Sequence, residues 1–159
     1  MFKKKEPWDL YSNYLQLDKV LDAQKPWSNE AGAPAHDEML FIIFHQVYEL
    51  WFKQILFELG DVEKRMSQKT LDDHDLLPVL KSLDRVAGIM RMLVKQLDIL
   101  ETMTGQDFTD FREYLKTASG FQSWQFRLME TKLGLRREDR LPVFHGQFDD
   151  NLCPMSRKA

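Results

Sequence analysis

The chain has 159 residues, a formal net charge of −3, and is 43% apolar and 30% charged. That length is one domain with enough chain to bury a core, and the slightly acidic balance gives no basic field to attract nucleic acid. A single cysteine, Cys153, excludes an internal disulfide framework and suits a reducing compartment.

The longest uninterrupted apolar run, Met39–Phe44, is far short of the roughly 20 residues that cross a bilayer. No signal-peptide apolar run stands at the start. A soluble, cytoplasmic protein without a membrane partner is the expectation. Lys3-Lys4-Lys5 reads as a short solvated basic run within a polar tail of residues 1–6.

Trp8, Leu10, Tyr11, Tyr14, Leu15, Leu17, Val20 and Leu21 recur at helical spacing, which predicts a helix over Trp8–Leu21. Residues 24–35, with two prolines, Gly32, Ser28 and Asn29, read as a loop. The stretch from Pro34 to Gly60 predicts one long central helix that continues to about Met66. From Met39 to Leu59 its only strongly charged residues are Glu49, Lys53 and Glu58. A helix apolar on nearly every side belongs in the middle of a fold. His45 lies within it, with Phe41, Tyr48 and Phe52 on the same face. An imidazole among aromatics is either a satisfied core residue or part of a pocket, and taken by itself the first is the more common outcome.

Asp75 is read as the cap of the next helix, which places Pro78 in its first turn. Along that helix Leu76, Leu80, Leu83, Ala87, Met90, Val94 and Leu97 form one apolar row. Val79, Val86, Leu93 and Leu100 form a second row beside it. Two adjoining rows make a seam wide enough for more than one neighbour. The helix is expected to end near Thr104-Gly105. A short helix over Gln106–Leu115, capped by Asp107 or the residue before it, follows. The small residues Thr117–Gly120 mark a tight turn or a close backbone approach. A last helix over Phe121–Leu133 stops at Gly134. Residues 135–159 show no period and are expected to form a loop or disordered tail after a helical domain of residues 1–134. The predicted fold class is all-α, a helical bundle of about five helices around a long buried central helix.

Several chemistries lack their residues. A carboxylate-bridged metal site in a bundle uses Glu-x-x-His pairs, and none occurs. His36 and His45 fall on different helix faces, His74 sits among Asp72, Asp73 and Asp75, and His145 stands alone. No protein-built metal site is expected. There is no Gly-x-Ser-x-Gly elbow and no phosphate-cradling glycine loop. In the stretch Asp107–Leu115, Phe108, Phe111 and Leu115 form an apolar face that Arg112 borders. Arg112 either pairs with Asp110 or Glu113, or clamps a ligand carboxylate. The residues alone therefore reach a helical protein able to hold a flat anionic ligand between His45 and Arg112.

Four segments together resemble the tryptophan 2,3-dioxygenase family: Tyr11–Leu17 (YSNYLQL), His36–Leu56 (HDEMLFIIFHQVYELWFKQIL), Leu100–Leu115 (LETMTGQDFTDFREYL) and Ala118–Arg127 (ASGFQSWQFR). They occur in order, over about residues 8–134. The resemblance implies a haem b enzyme that uses dioxygen to open the indole ring of L-tryptophan, giving N-formylkynurenine, the entry to the kynurenine pathway. It implies that His45 is the distal catalytic histidine that hydrogen-bonds the indole N–H. Phe41, Phe108 and Leu115 would be pocket walls, and Arg112 the carboxylate clamp. Ala118, Ser119 and Gly120 would be the small segment over the haem face. Tyr11, Tyr14 and Leu15 would reach a neighbouring subunit's pocket in a homotetramer.

The family's proximal histidine motif and its threonine loop for the substrate ammonium have no counterpart here. The chain thus carries the distal half of the site. A fragment, a truncated product and one part of a split protein all remain open as its origin. The alternative expectation is a catalytically incompetent helical remnant that self-associates or binds indole-like ligands.

Overall fold

The computed structural model describes residues 7–139, apart from 69 and 71. Lys3–Lys5, His145, Cys153 and the greater part of the 135–159 segment lie outside the described residues. Seven α-helices follow in chain order: α1 (Pro7–Leu15), α2 (Leu17–Val20), α3 (Trp27–Glu30), α4 (Glu38–Met66), α5 (Asp73–Leu100), α6 (Gly105–Arg112) and α7 (Trp124–Lys132). The short α2 and α3 are single turns, which leaves five helices of eight residues or more. No strand occurs among the described residues. The all-α class read from the periodicities is the class observed.

The predicted first helix is two pieces. Gln16 stands at φ 54°, in the left-handed region, and divides α1 from α2. Its side chain sustains the break by donating to the Asn13 carbonyl at 2.5 Å and accepting from Lys19 Nζ at 2.7 Å. Residues 24–35, read as a loop, contain the single turn α3. That turn is tied to the start of α4, because the buried Glu38 carboxylate accepts from the backbone N–H groups of Trp27 and Ser28 at 2.8 and 2.9 Å.

Helices α4 and α5 are the long pair, each roughly 42 Å at 1.5 Å per residue. Helix α7 also packs on α4. The core is a stripe of Phe52, Ile55 and Leu59 from α4, with Val86, Ile89 and Leu93 from α5 and Met129 from α7. Tyr48 links the long pair by donating to the Leu93 carbonyl at 2.5 Å. A hydroxyl so placed has lost water, and that desolvation raises its pKa.

Burial on α5 chooses between the two apolar rows. Val79, Val86 and Leu93 are buried together with Ser82 and Ile89, while Leu80, Leu97 and Val94 are 57%, 44% and 67% exposed. One partner helix covers one seam, and α4 takes the row at steps of seven. Burial on α4 is likewise confined to a stripe; Ile43, Leu50 and Phe57 stay exposed on the opposite side.

A polar cluster crosses the same interface. Glu58 of α4 is buried and meets the Arg85 guanidinium of α5, accepting also from Gln54 at 2.7 Å. Burial pushes its carboxyl up, but hydrogen bonds from Arg85, Ser82 and Gln54, with the Arg85 charge, outweigh that and leave it below the ordinary value.

Two cap assignments change. Asp72, not Asp75, caps α5, its carboxylate accepting from Asp75 N at 3.1 Å. The helix therefore starts earlier than read, and Pro78 lies inside it beyond the first turn. Thr104 caps α6, forming a reciprocal capping box with Asp107. Asp107 is thus the third residue of that helix. Hydrogen bonds from the Thr104 side chain and backbone hold its carboxyl below the usual range. At the end of α7, Gly134 takes φ 82°, as expected of a C-terminal glycine.

Candidate functional site

His45 lies one turn beyond Phe41 on α4, half-buried, with the two ring centroids 4.1 Å apart. Its Nδ1 is 2.8 Å from the Phe41 carbonyl oxygen. A carbonyl only accepts, so Nδ1 carries the proton, and in the neutral ring Nε2 is left as an acceptor. The tilted Phe41 ring and the backbone bond fix which way that acceptor points.

Phe41 leads into an aromatic group. It lies 5.9 Å from Phe108 and 5.4 Å from Phe111, and these two are 5.4 Å apart in an edge-on arrangement. Phe111 is fully buried and Leu115 nearly so. Helix α6 thus docks against the N-terminal part of α4 through flat side chains, at separations that favour tilted and edge-on contact.

Opposite His45 runs the small-residue segment. Ser119 and Gln122 close it on itself: Ser119 Oγ accepts from Phe121 N at 3.3 Å, and Gln122 Oε1 accepts from Ser119 N at 3.2 Å. The Gln122 amide also donates to the Thr117 carbonyl at 3.2 Å. Ser123 then caps α7, accepting from Phe126 N at 3.1 Å. Between this segment and α4 lies a cleft of about 260 Å³. Phe41, His45 and Glu49 line it from one side, and Ala118, Ser119, Gly120, Gln122 and Ser123 from the other.

The expected site residues divide into four groups. Phe41, His45, Ala118, Ser119 and Gly120 come together around one cleft. Phe108 and Leu115 stand behind it, Phe108 against Phe41 and Leu115 in the core. Arg112 is exposed outside the lining and donates from Nη1 to the Lys116 carbonyl at 3.1 Å. Tyr11, Tyr14 and Leu15 are 64%, 86% and 39% exposed on α1 and line none of this cleft.

Glu49, noted in the sequence only for its charge, is not among the expected site residues, although it follows His45 by one helical turn and lies on the same face. Its partner Gln125 lies on α7. Gln122 and Ser123 were hidden by their role as ordinary turn and cap residues. Glu49 and His45 also border a second cleft of about 480 Å³, on the side of α2, with Lys19, Val20 and Lys53.

Among the described residues no group of three or more His, Cys, Asp or Glu side chains is placed to hold a metal ion. No helix among them is long and apolar enough to cross a membrane.

The chain matches the family model described as tryptophan 2,3-dioxygenase over residues 3–156. It is 54% identical over 132 residues to the tryptophan 2,3-dioxygenase of Anopheles gambiae, covering 83% of this chain and 34% of that protein. It is 51% identical over 142 residues to the tryptophan 2,3-dioxygenase of Bdellovibrio bacteriovorus, covering 89% of this chain and 40% of that one. The chain therefore spans well under half the length of these relatives. With the family model matching residues 3–156 and more than half the aligned residues identical over 83% and 89% of the chain, it belongs to the tryptophan 2,3-dioxygenase family.

Proposed function

We propose that the chain provides the substrate-side part of a tryptophan 2,3-dioxygenase. That enzyme adds both atoms of dioxygen across the indole C2–C3 bond of L-tryptophan and breaks it, yielding N-formylkynurenine. The observation that carries this reading is the tautomer of His45. Its Nδ1 proton is committed to the Phe41 carbonyl, and Nε2 faces a cleft edge as an acceptor, the role an indole N–H requires.

In this reading Phe41 and Phe108, with Leu115 behind them, wall the indole. Arg112 swings its exposed guanidinium from the Lys116 carbonyl to the substrate carboxylate, where a planar fork pairs both oxygens. The contribution of these residues is orientation and exclusion of water rather than proton transfer. Tyr11, Tyr14 and Leu15, displayed on α1, reach the pocket of a neighbouring copy in a homotetramer. The protein works in the cytoplasm.

Haem b is the cofactor of this reading, and the described residues fit one face of it. Ala118, Ser119 and Gly120 are small and exposed, which leaves a flat wall free of protruding side chains. None of the described histidines is placed to hold the iron: His45 bonds the Phe41 carbonyl through Nδ1 and keeps Nε2 for the substrate, His74 is exposed on α5, and His36 is exposed and bonded to Asp37 at 2.7 Å. When bound, haem supplies the iron centre that activates dioxygen.

The test is to add haemin, reductant and L-tryptophan in air to the purified chain, recording the Soret band and N-formylkynurenine. A haem spectrum with product that falls when His45 is replaced by alanine is the expected result. Product formation unchanged in His45→Ala would remove His45 from the reaction, and absence of both band and product would overturn autonomous catalysis.

A further inference from the structure

Among the described glycines, Gly32 and Gly134 answer a backbone need, with φ at 77° and 82°. Gly60, Gly88 and Gly105 have open space where a Cβ would stand. Gly120 differs from all of these. Its φ is not in the left-handed region, yet a Cβ there would stand 3.1 Å from His45 Nε2 and 3.3 Å from Cδ2. The missing side chain is explained by the imidazole and by nothing in the turn.

Neither side of this contact gives way easily. The ring is held by its Nδ1 bond to Phe41 and by the Phe41 ring 4.1 Å away. The segment is held by the Ser119 cap and by both ends of the Gln122 amide. A methyl group at 120 would therefore sit against the lone pair of Nε2 and displace whatever donor approaches it.

We propose that Gly120 is a specificity-determining residue, which keeps His45 Nε2 open so that the cleft selects planar heteroaromatic ligands bearing a ring N–H. The inference rests on the reading of His45 as an acceptor and adds the residue that makes the acceptor reachable. Discrimination comes from the bond itself: a ligand with the N–H forms it, whereas one with an N-methyl group leaves the nitrogen desolvated and presses a carbon against it.

The test compares indole with 1-methylindole on the full chain and on Gly120→Ala, by isothermal titration. The chain should prefer indole about ten-fold, and Gly120→Ala should bring that ratio close to one by weakening indole alone. A ratio retained in Gly120→Ala overturns the role of Gly120 while leaving His45 as the acceptor. A chain that does not distinguish the two ligands overturns the acceptor reading, and this inference with it. A second measurement stays informative if the variant melts early. In the unmodified chain, the ¹⁵N resonance of His45 Nε2 should move on adding indole and not on adding 1-methylindole. Equal movement with both ligands counts against an open acceptor.

Discussion

Gln125 of α7 grips Glu49 of α4 twice, its amide nitrogen lying 2.9 Å from the Glu49 backbone carbonyl and 2.7 Å from its carboxylate. One side chain thus fixes the distance between α7 and the helix turn that follows His45. Replacing Gln125 with leucine removes both bonds at nearly constant volume. The expected loss is about 1 kcal/mol in denaturant unfolding, because Glu49 turns to water on its exposed side. Indole affinity should fall with it, since the cleft wall is no longer held. Unchanged stability and affinity would show that the α4–α7 contact is held by its apolar residues alone.

Glu58 predicts a dependence on pH. Its burial acts upward, but hydrogen bonds from Arg85, Ser82 and Gln54 and the charge of Arg85 prevail, so its folded pKa lies below the ordinary 4.5. A depressed carboxylate adds stability that is complete above the unfolded value and is lost as pH falls through the folded one. The gap in melting temperature between the chain and Glu58→Gln should therefore be widest near neutrality and narrow as the pH drops below about 4.5. Glu58→Ala should cost about 2 kcal/mol at neutral pH, moderated because Arg85 is half exposed and regains water. A gap independent of pH would remove the charge from the account.

Arg112 separates recognition of the carboxylate from recognition of the ring. Arg112→Ala should weaken L-tryptophan about ten-fold or more and leave indole binding unchanged, as measured by titration of both ligands. Equal losses for the two would place Arg112 in support of the 112–116 turn, through its bond to Lys116, and not on the ligand.

Leu80, Val94 and Leu97 stand exposed in a row on α5. A row of that kind promotes association with any other apolar surface. The chain should sediment as a species larger than a monomer. Leu80→Lys with Val94→Lys should shift it toward the monomer while changing stability by no more than about 0.5 kcal/mol per site. A chain already monomeric at high concentration would refute this.

How far the sequence could be read follows from which signals are local. The seven-residue spacing of Val79, Val86 and Leu93 and the greasy run around Phe52 announce their helices, since both depend on a period along one chain. The choice between Val79 and Leu80 as the buried side was not available, because it depends on how many neighbours α5 has. The break at Gln16 was hidden for a different reason: glutamine rarely takes a left-handed conformation, and the bonds that sustain it come from Asn13 and Lys19. Thr104 carries a legible capping box with Asp107, three residues on, whereas the sequence reading puts the cap at Asp107 or the residue before it. At the cleft, the pairing of His45 with Gly120 spans 75 positions of chain, and only the fold reveals what the glycine is for. The run Thr117–Gly120 announces a tight turn or a close backbone approach, without saying to what.

The bond from Glu38 to α3 joins the two elements in their ordering. A single turn such as Trp27–Glu30 is too short to persist on its own, since its first hydrogen bond cannot offset the cost of nucleation. Its first two N–H groups are instead satisfied by a carboxylate eleven and ten residues ahead of them, buried at the first position of α4. The turn and the start of the long helix therefore order together, as one cooperative unit, and release together. Hydrogen exchange should show the amides of Trp27 and Ser28 opening in step with the first turns of α4 rather than with the flanking loop. The same unit carries Phe41, one turn further on, so the frame that aims the imidazole is set at the very start of its helix.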